Sequence, residues 1–102
     1  MNETWDYEIT LIKKKFKAGT AGVRLPDGED RLTLIAKQTP VHSAEFFRAG
    51  QNGIEITKAF VIHAFEYGGQ LELEFEGQRY RIIKTYPVDF DELELSCEKK
   101  VG

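Results

Sequence analysis

The sequence predicts an all-β fold, a small antiparallel β-barrel or sandwich of about six strands with one short helix and long loops. Three observations predict it. Apolar and polar residues alternate with a period of two in several separate runs. Turn-forming pairs such as Asp27-Gly28, Asn52-Gly53, Gly68-Gly69 and Glu76-Gly77 punctuate those runs. Only one stretch carries the start and stop signals of a helix.

The first strand begins at Trp5, where Trp5, Tyr7, Ile9 and Leu11 alternate with Asp6, Glu8 and Thr10. Aromatic and branched residues at every second position fit a pleated, half-buried surface. A lysine run (Lys13, Lys14, Lys15, Lys17) then gives way to Ala18-Gly-Thr-Ala-Gly22 and Leu25-Pro-Asp-Gly28. Proline before Asp-Gly is turn chemistry, and residues 16–30 are expected to form a mobile loop. Extended structure resumes from Arg31 to Val41 through Leu32, Leu34 and Ala36. Pro40 has no N–H to donate, so this strand should end there or lie at an edge.

The helical signal is Ser43-Ala-Glu-Phe-Phe-Arg-Ala-Gly50. Ser43 suits the N-cap, Glu45 the positive first turn and Gly50 the C′ position. So short a helix needs packing to hold it. Phe46 and Phe47 point about 100° apart on it. Either one of them meets a neighbouring subunit or a curved core wraps both.

After the Asn52-Gly53 turn, strand character returns from Ile54 to Phe65, with Phe60, Ile62 and Ala64 on one face and Val61 and His63 on the other. Leu71-Glu-Leu-Glu-Phe-Glu76 alternates strictly and leads through Glu76-Gly77 into Arg79-Tyr-Arg-Ile-Ile-Lys-Thr-Tyr86. This reads as a hairpin with one wet, acidic face. A second loop, Pro87-Val-Asp-Phe-Asp91, precedes the closing strand that begins Glu92-Leu-Glu-Leu. No repeat or composition break divides residues 1–102, which are expected to form a single domain.

A chain of 102 residues buries only roughly 60–65% of its unfolded surface, and oligomerisation is a common remedy for so small a core. With 41% hydrophobic and 30% charged residues, it is not a wholly disordered chain. No apolar run approaches the roughly 18 residues that cross a bilayer, and the acidic start MNETWDYE lacks the order of a signal peptide. A net charge of −3 argues against a general nucleic-acid binder. Charge is nonetheless polarised, with lysines early and Glu72, Glu74, Glu76, Asp89, Asp91, Glu92, Glu94 and Glu98 making the last third acidic.

Groups that carry chemistry are sparse. His42 and His63 stand in no metal-ligand spacing, and the single Cys97 reads as a buried, inert thiol. No Gly-x-Ser-x-Gly elbow and no phosphate-binding loop occurs. Alternating glutamates on an outer strand face serve solubility and edge protection. Tyr80, Tyr86, Arg79 and Arg81 could form a stacking platform for single-stranded nucleic acid, although acidic strands flank them. Neither catalysis nor a cofactor or metal is expected.

The order of segments also resembles a known family. Tyr7-Glu-Ile-Thr-Leu-Ile12, Ser43-Ala-Glu-Phe-Phe-Arg-Ala-Gly-Gln-Asn-Gly53, Phe65-Glu-Tyr67, Glu74-Phe-Glu-Gly-Gln-Arg-Tyr-Arg-Ile-Ile-Lys-Thr-Tyr86, Asp91-Glu-Leu-Glu-Leu95 and Glu98-Lys-Lys-Val-Gly102 carry the likeness. They are similar to the phage head–tail joining family, also called head-closure, head-completion or stopper proteins, of siphophages and prophages of Gram-positive bacteria. The Ala-Gly-Thr-Ala-Gly run within residues 16–30 is not a signature of that family. The resemblance implies a non-enzymatic virion protein of the neck, made in the host bacterial cytoplasm. About twelve copies would form a ring beneath the portal–adaptor complex, close the DNA-filled head and present a surface to a tail-completion protein. Packaged DNA would pass through the channel without sequence-specific binding, and no membrane is involved. In the family a long loop rearranges to pair with neighbours and narrow the channel. The resemblance carries that role onto Gly50, Gln51, Asn52, Gly53 and Ile54, with Phe46 and Phe47 as packing anchors, and the basic 13–17 run with the loop that follows it is a second candidate. A tail terminator or other tail-completion protein is the alternative, and an oligonucleotide-binding barrel is the third reading.

Overall fold

A computed structural model describes residues 4–40 and 56–100 of the chain. Six antiparallel strands form one sheet that closes on itself in the order β1-β2-β3-β6-β5-β4. They are β1 (Tyr7–Ala18), β2 (Arg24–Thr39), β3 (Ile56–His63), β4 (Glu72–Phe75), β5 (Gln78–Asp89) and β6 (Glu92–Lys99). Closure is made by Thr10, Leu11 and Ile12 of β1, opposite Glu74, Leu73 and Glu72 of β4. The all-β expectation is met, and the architecture is the barrel rather than the sandwich. The candidate helix at 43–50 and the channel-loop residues Phe46, Phe47, Gly50, Gln51, Asn52, Gly53 and Ile54 lie outside the described residues.

Alternation in the sequence becomes inside and outside in the barrel. Ile9 and Leu11, Leu34 and Ala36, Phe60 and Ile62, Leu73 and Phe75, Tyr80 and Ile82, and Leu95 and Cys97 pack together as one buried cluster. Each pair is two residues apart on its own strand, as the pleat requires. Phe60 meets the edge of Phe75 with ring centroids 5.0 Å apart. The favoured edge-to-face contact adds to the area each ring removes from water. Ala64 does not continue the inner face of β3; a 3₁₀ turn at Ala64–Glu66 ends that strand.

The β4–β5 turn shows how local chemistry sets register. Phe75 pairs with Gln78, leaving only Glu76 and Gly77 between the strands. Both have positive φ, at 50° and 78°. That combination gives the mirror-image turn whose twist matches the flanking strands, and Gly77 adopts it without steric cost.

Two expected loops are instead paired strands. Residues 16–30 belong mostly to a hairpin in which β1 and β2 pair from Tyr7↔Ala36 out to Ala18↔Arg24. The Pro-Asp-Gly signal predicts a turn, but here it makes a bulge. Lys14 faces Glu29 and Phe16 faces Pro26, so Lys15 alone opposes Asp27 and Gly28. Gly28 takes φ of +88°, which lets the extra residue be absorbed within the ladder. The reversal itself comes at Gly19–Val23, where the Gly19 N–H donates to the Val23 carbonyl. Likewise the expected 87–91 loop is mainly paired, because β5 runs on to Asp89 opposite Glu92 and only Phe90 and Asp91 turn the corner. Pro87 is tolerated there because β4 pairs with β5 only as far as Arg81, and no other described strand pairs with that edge at Pro87. Pro40 falls immediately after β2, as its missing donor demands.

Candidate assembly surface

Strands of 12, 16 and 12 residues (β1, β2 and β5) exceed the usual five or six, so parts of them must leave the barrel. β4 pairs with β1 only at residues 10–12, and β3 pairs with β2 only at 37–39. Residues 13–31 are therefore a two-stranded arm, and no described strand pairs with either of its outer edges. Six residues of strand from Lys13 to Ala18 reach about 20 Å at roughly 3.4 Å each. The molecule measures 52 × 31 × 27 Å with a radius of gyration of 15.0 Å. A compact domain of this size would have a radius of about 13 Å.

The arm exposes Phe16, Val23, Leu25 and, at its base, Leu32. The Arg24 guanidinium lies 4.6 Å from the centre of the Phe16 ring. A crevice of about 260 Å³ opens between the arm's base and residues 69–71, with Ile12, Phe16 and Leu71 on its apolar side and Lys13, Lys14 and Glu72 on its polar side. Leu71 is 71% exposed beside it. Lys13 Nζ reaches the Gly68 carbonyl at 3.4 Å, fixing the arm's base against this connection. At the other end of the same connection, the Ala64 N–H donates to the Asp91 carbonyl at 2.7 Å, tying in the β5–β6 tip. Phe90 on that tip is wholly exposed. The Asp89 carboxylate accepts the Phe90 N–H at 2.7 Å, shaping the turn that presents the ring.

The strand face expected to be wet and acidic carries an ion-pair network instead. Glu72 is only 8% exposed. Its carboxylate accepts from Arg79 at 2.6 Å and Lys100 at 2.9 Å, and Lys14 lies 3.5 Å away. Burial opposes ionisation of Glu72, yet hydrogen bonds from Lys100 and Arg79 and the charges of Lys100 and Lys14 outweigh it, holding the carboxyl at about 2. Arg79 also bridges to Glu29 on the arm at 3.1 Å, and Arg31 joins Glu29 and Glu74, each at 3.6 Å. The arm's base is thus pinned to the barrel wall by charge.

The suggested stacking platform does not form. Tyr80 is buried in the core cluster while Arg79 and Arg81 point outward on the opposite face. Arg81 is engaged by Glu98 at 2.7 Å and Arg79 by Glu29 and Glu72. Consecutive residues on a strand face opposite ways, so an Arg-Tyr-Arg run cannot build one surface.

His63 stacks on Trp5 with ring centroids 4.3 Å apart, and Lys37 lies 4.8 Å from the Trp5 ring while bridging to Glu92 at 2.9 Å. This group clamps the N-terminal segment across β2, β3 and β6. Cys97 is buried in the core, and burial pushes its thiol up to about 12. That makes it a packing residue, because the thiolate is the reactive form. Among the described residues no three His, Cys, Asp or Glu side chains are grouped to hold a metal, and no helix is long and apolar enough to cross a membrane.

The sequence singles out the 13–17 run and the loop after it as a second candidate, but it does not show that they form a paired arm, and it misses the crevice and Phe90 as parts of a surface. The signal was available in Phe16 and Leu25, apolar residues within a supposed polar loop, and in Phe90 between two aspartates. No family model matches the chain. No curated protein matches it either.

Proposed function

We propose that this chain is a phage head-closure (head–tail joining) subunit, a virion structural protein that works by assembling into a ring between the portal–adaptor complex and the tail. The observation that carries the reading is the β1–β2 arm. A small barrel extends a long hairpin with open edges and exposed apolar side chains, which is the equipment of a subunit that completes its sheet and core on a neighbour. Open edges are a hazard for a solitary protein, whereas strand addition between copies uses them. Contact through two different surfaces of one chain closes into a ring when its rotation fits. The segment order shared with the head–tail joining family supports the same reading from the sequence. The lysine run named from the sequence as a second candidate lies on this arm. A tail-side completion protein of similar ring habit is the second reading, and the polarised charge along the sequence suits either.

The experiment is complementation in vitro. The gene is deleted from its phage or prophage, lytic growth is induced, and purified protein is added to the lysate. Leaky heads beside finished tails, rescued to infectious particles by the added protein, support head closure. Sealed, DNA-filled heads with defects only in the tails would assign the protein to the tail side.

A further inference from the structure

We propose that Phe90 of one copy seats in the crevice between the arm and residues 69–71 of the next copy. The proposal rests on the ring reading and names the contact that builds the ring.

The knob is specific. Phe90 is 100% exposed at a two-residue turn, with Asp89 and Asp91 on either side. A large aromatic ring held wholly in water by a rigid hairpin is unfavourable for an isolated chain. Asp89 is oriented by its bond to the Phe90 N–H, so the tip is shaped in advance.

The hole complements it in size and charge. About 150 Å³ of apolar cavity accepts a benzene ring. The crevice offers about 260 Å³ in all, with Ile12, Phe16 and Leu71 forming the apolar part of its lining and Lys13, Lys14 and Glu72 the polar part. Lys13 and Lys14 stand at its rim, where Asp89 and Asp91 of an incoming tip would lie. Glu72 also borders the crevice, but its charge is met by the two close partners Arg79 and Lys100 of its own copy. Knob and hole flank one connection, the tip tied at Ala64 and the hole at Gly68 to Leu71. They are different surfaces of the same chain, so each copy can give one and receive the other.

The test traps the contact with disulfides. Leu71→Cys and Asp91→Cys proteins, which keep the Phe90 ring, are mixed under mild oxidation, and Leu71→Cys with Lys99→Cys serves as the control. All three positions are exposed, so folding is preserved, and buried Cys97 does not compete. Wild-type protein is treated in parallel with a general amine crosslinker. Expected is a mixed 71–91 dimer about tenfold or more above the control, a difference of about 1.4 kcal/mol in contact preference. Phe90→Ser should weaken association roughly thirtyfold, as truncating a central aromatic anchor does, while Phe90→Trp retains it. An amine-crosslinked ladder without 71–91 preference overturns this contact and leaves the ring reading standing. No association by either method also overturns this contact, and the ring reading is then decided by complementation.

Discussion

Arg79 donates to Glu72 at 2.6 Å, diagonally across the β4–β5 pair, and the same guanidinium reaches Glu29 on the arm at 3.1 Å. One cation thereby couples the barrel wall to the projecting hairpin. Because Glu72 ionises at about 2, well below the usual 4.5, its stabilisation is present above about pH 4.5 and is lost as pH falls through about 2. Glu29 is lowered too, chiefly by its hydrogen bond from Arg79, and shares that direction. Glu72→Gln should cost on the order of 2 kcal/mol at neutral pH and almost nothing near pH 2. Urea titrations across that range would refute the linkage if wild type and variant ran parallel throughout.

Phe60 contributes through packing alone. It is fully buried against Phe75 at the centre of the cluster. Phe60→Ala removes that area and leaves a void that a closed barrel cannot collapse around. The expected loss is about 3–5 kcal/mol. A variant with an unchanged denaturation midpoint would show that this cluster is not what holds the barrel.

Ser96 is a stability defect that the sequence did not reveal. Its Oγ is buried with no hydrogen-bond partner among the described residues. Such a hydroxyl loses its water and receives nothing in exchange. Ser96→Ala should therefore be neutral or raise stability by up to about 1 kcal/mol. A clear loss in calorimetry would mean that the hydroxyl is satisfied in solution.

Trp5 is the only tryptophan, so its stack on His63 has its own optical reporter. His63→Ala should shift Trp5 emission to longer wavelength and cost about 0.5–1.5 kcal/mol, the usual worth of a ring pair beyond its area. Unchanged emission would place Trp5 away from His63.

Where burial decides conformation, these elements were legible in advance. Ile9 and Leu11, Phe60 and Ile62, and Leu73 and Phe75 alternate because one side of each strand faces a core, and the pattern alone exposes them. Glu76-Gly77 was legible because its dihedral angles are a local matter. The arm was not. Its exposed residues carry no inside-outside pattern, and Asp27-Gly28 serves a bulge as well as it would a reversal. The burial of Glu72 was not legible because Lys14 and Lys100 reach it from distant parts of the chain, and Arg79 meets it only diagonally across the β4–β5 pair. Phe90 needed the β5–β6 register before it could be seen as a tip rather than a loop residue.

Shortening the arm separates folding from assembly. Replacing residues 15–28 by Asn-Gly would join Lys14 to Glu29, which already face each other, through a turn that suits a two-residue hairpin. Ile9, Leu11, Leu34 and Ala36 all lie outside the deleted stretch, as do the Glu29 and Arg31 pairs to the barrel wall. The barrel should therefore keep its cooperative unfolding, with a melting shift of only a few degrees, about what 1 kcal/mol produces. Complementation of a deletion lysate should disappear, because Phe16, Val23 and Leu25 go with the arm. If the shortened protein still rescues infectious particles, the arm takes no part in the ring, and both the crevice and the reading built on the arm fall. If it neither folds nor rescues, Phe16→Ser with Leu25→Ser is the cleaner substitute, since both side chains are already exposed and the core does not use them.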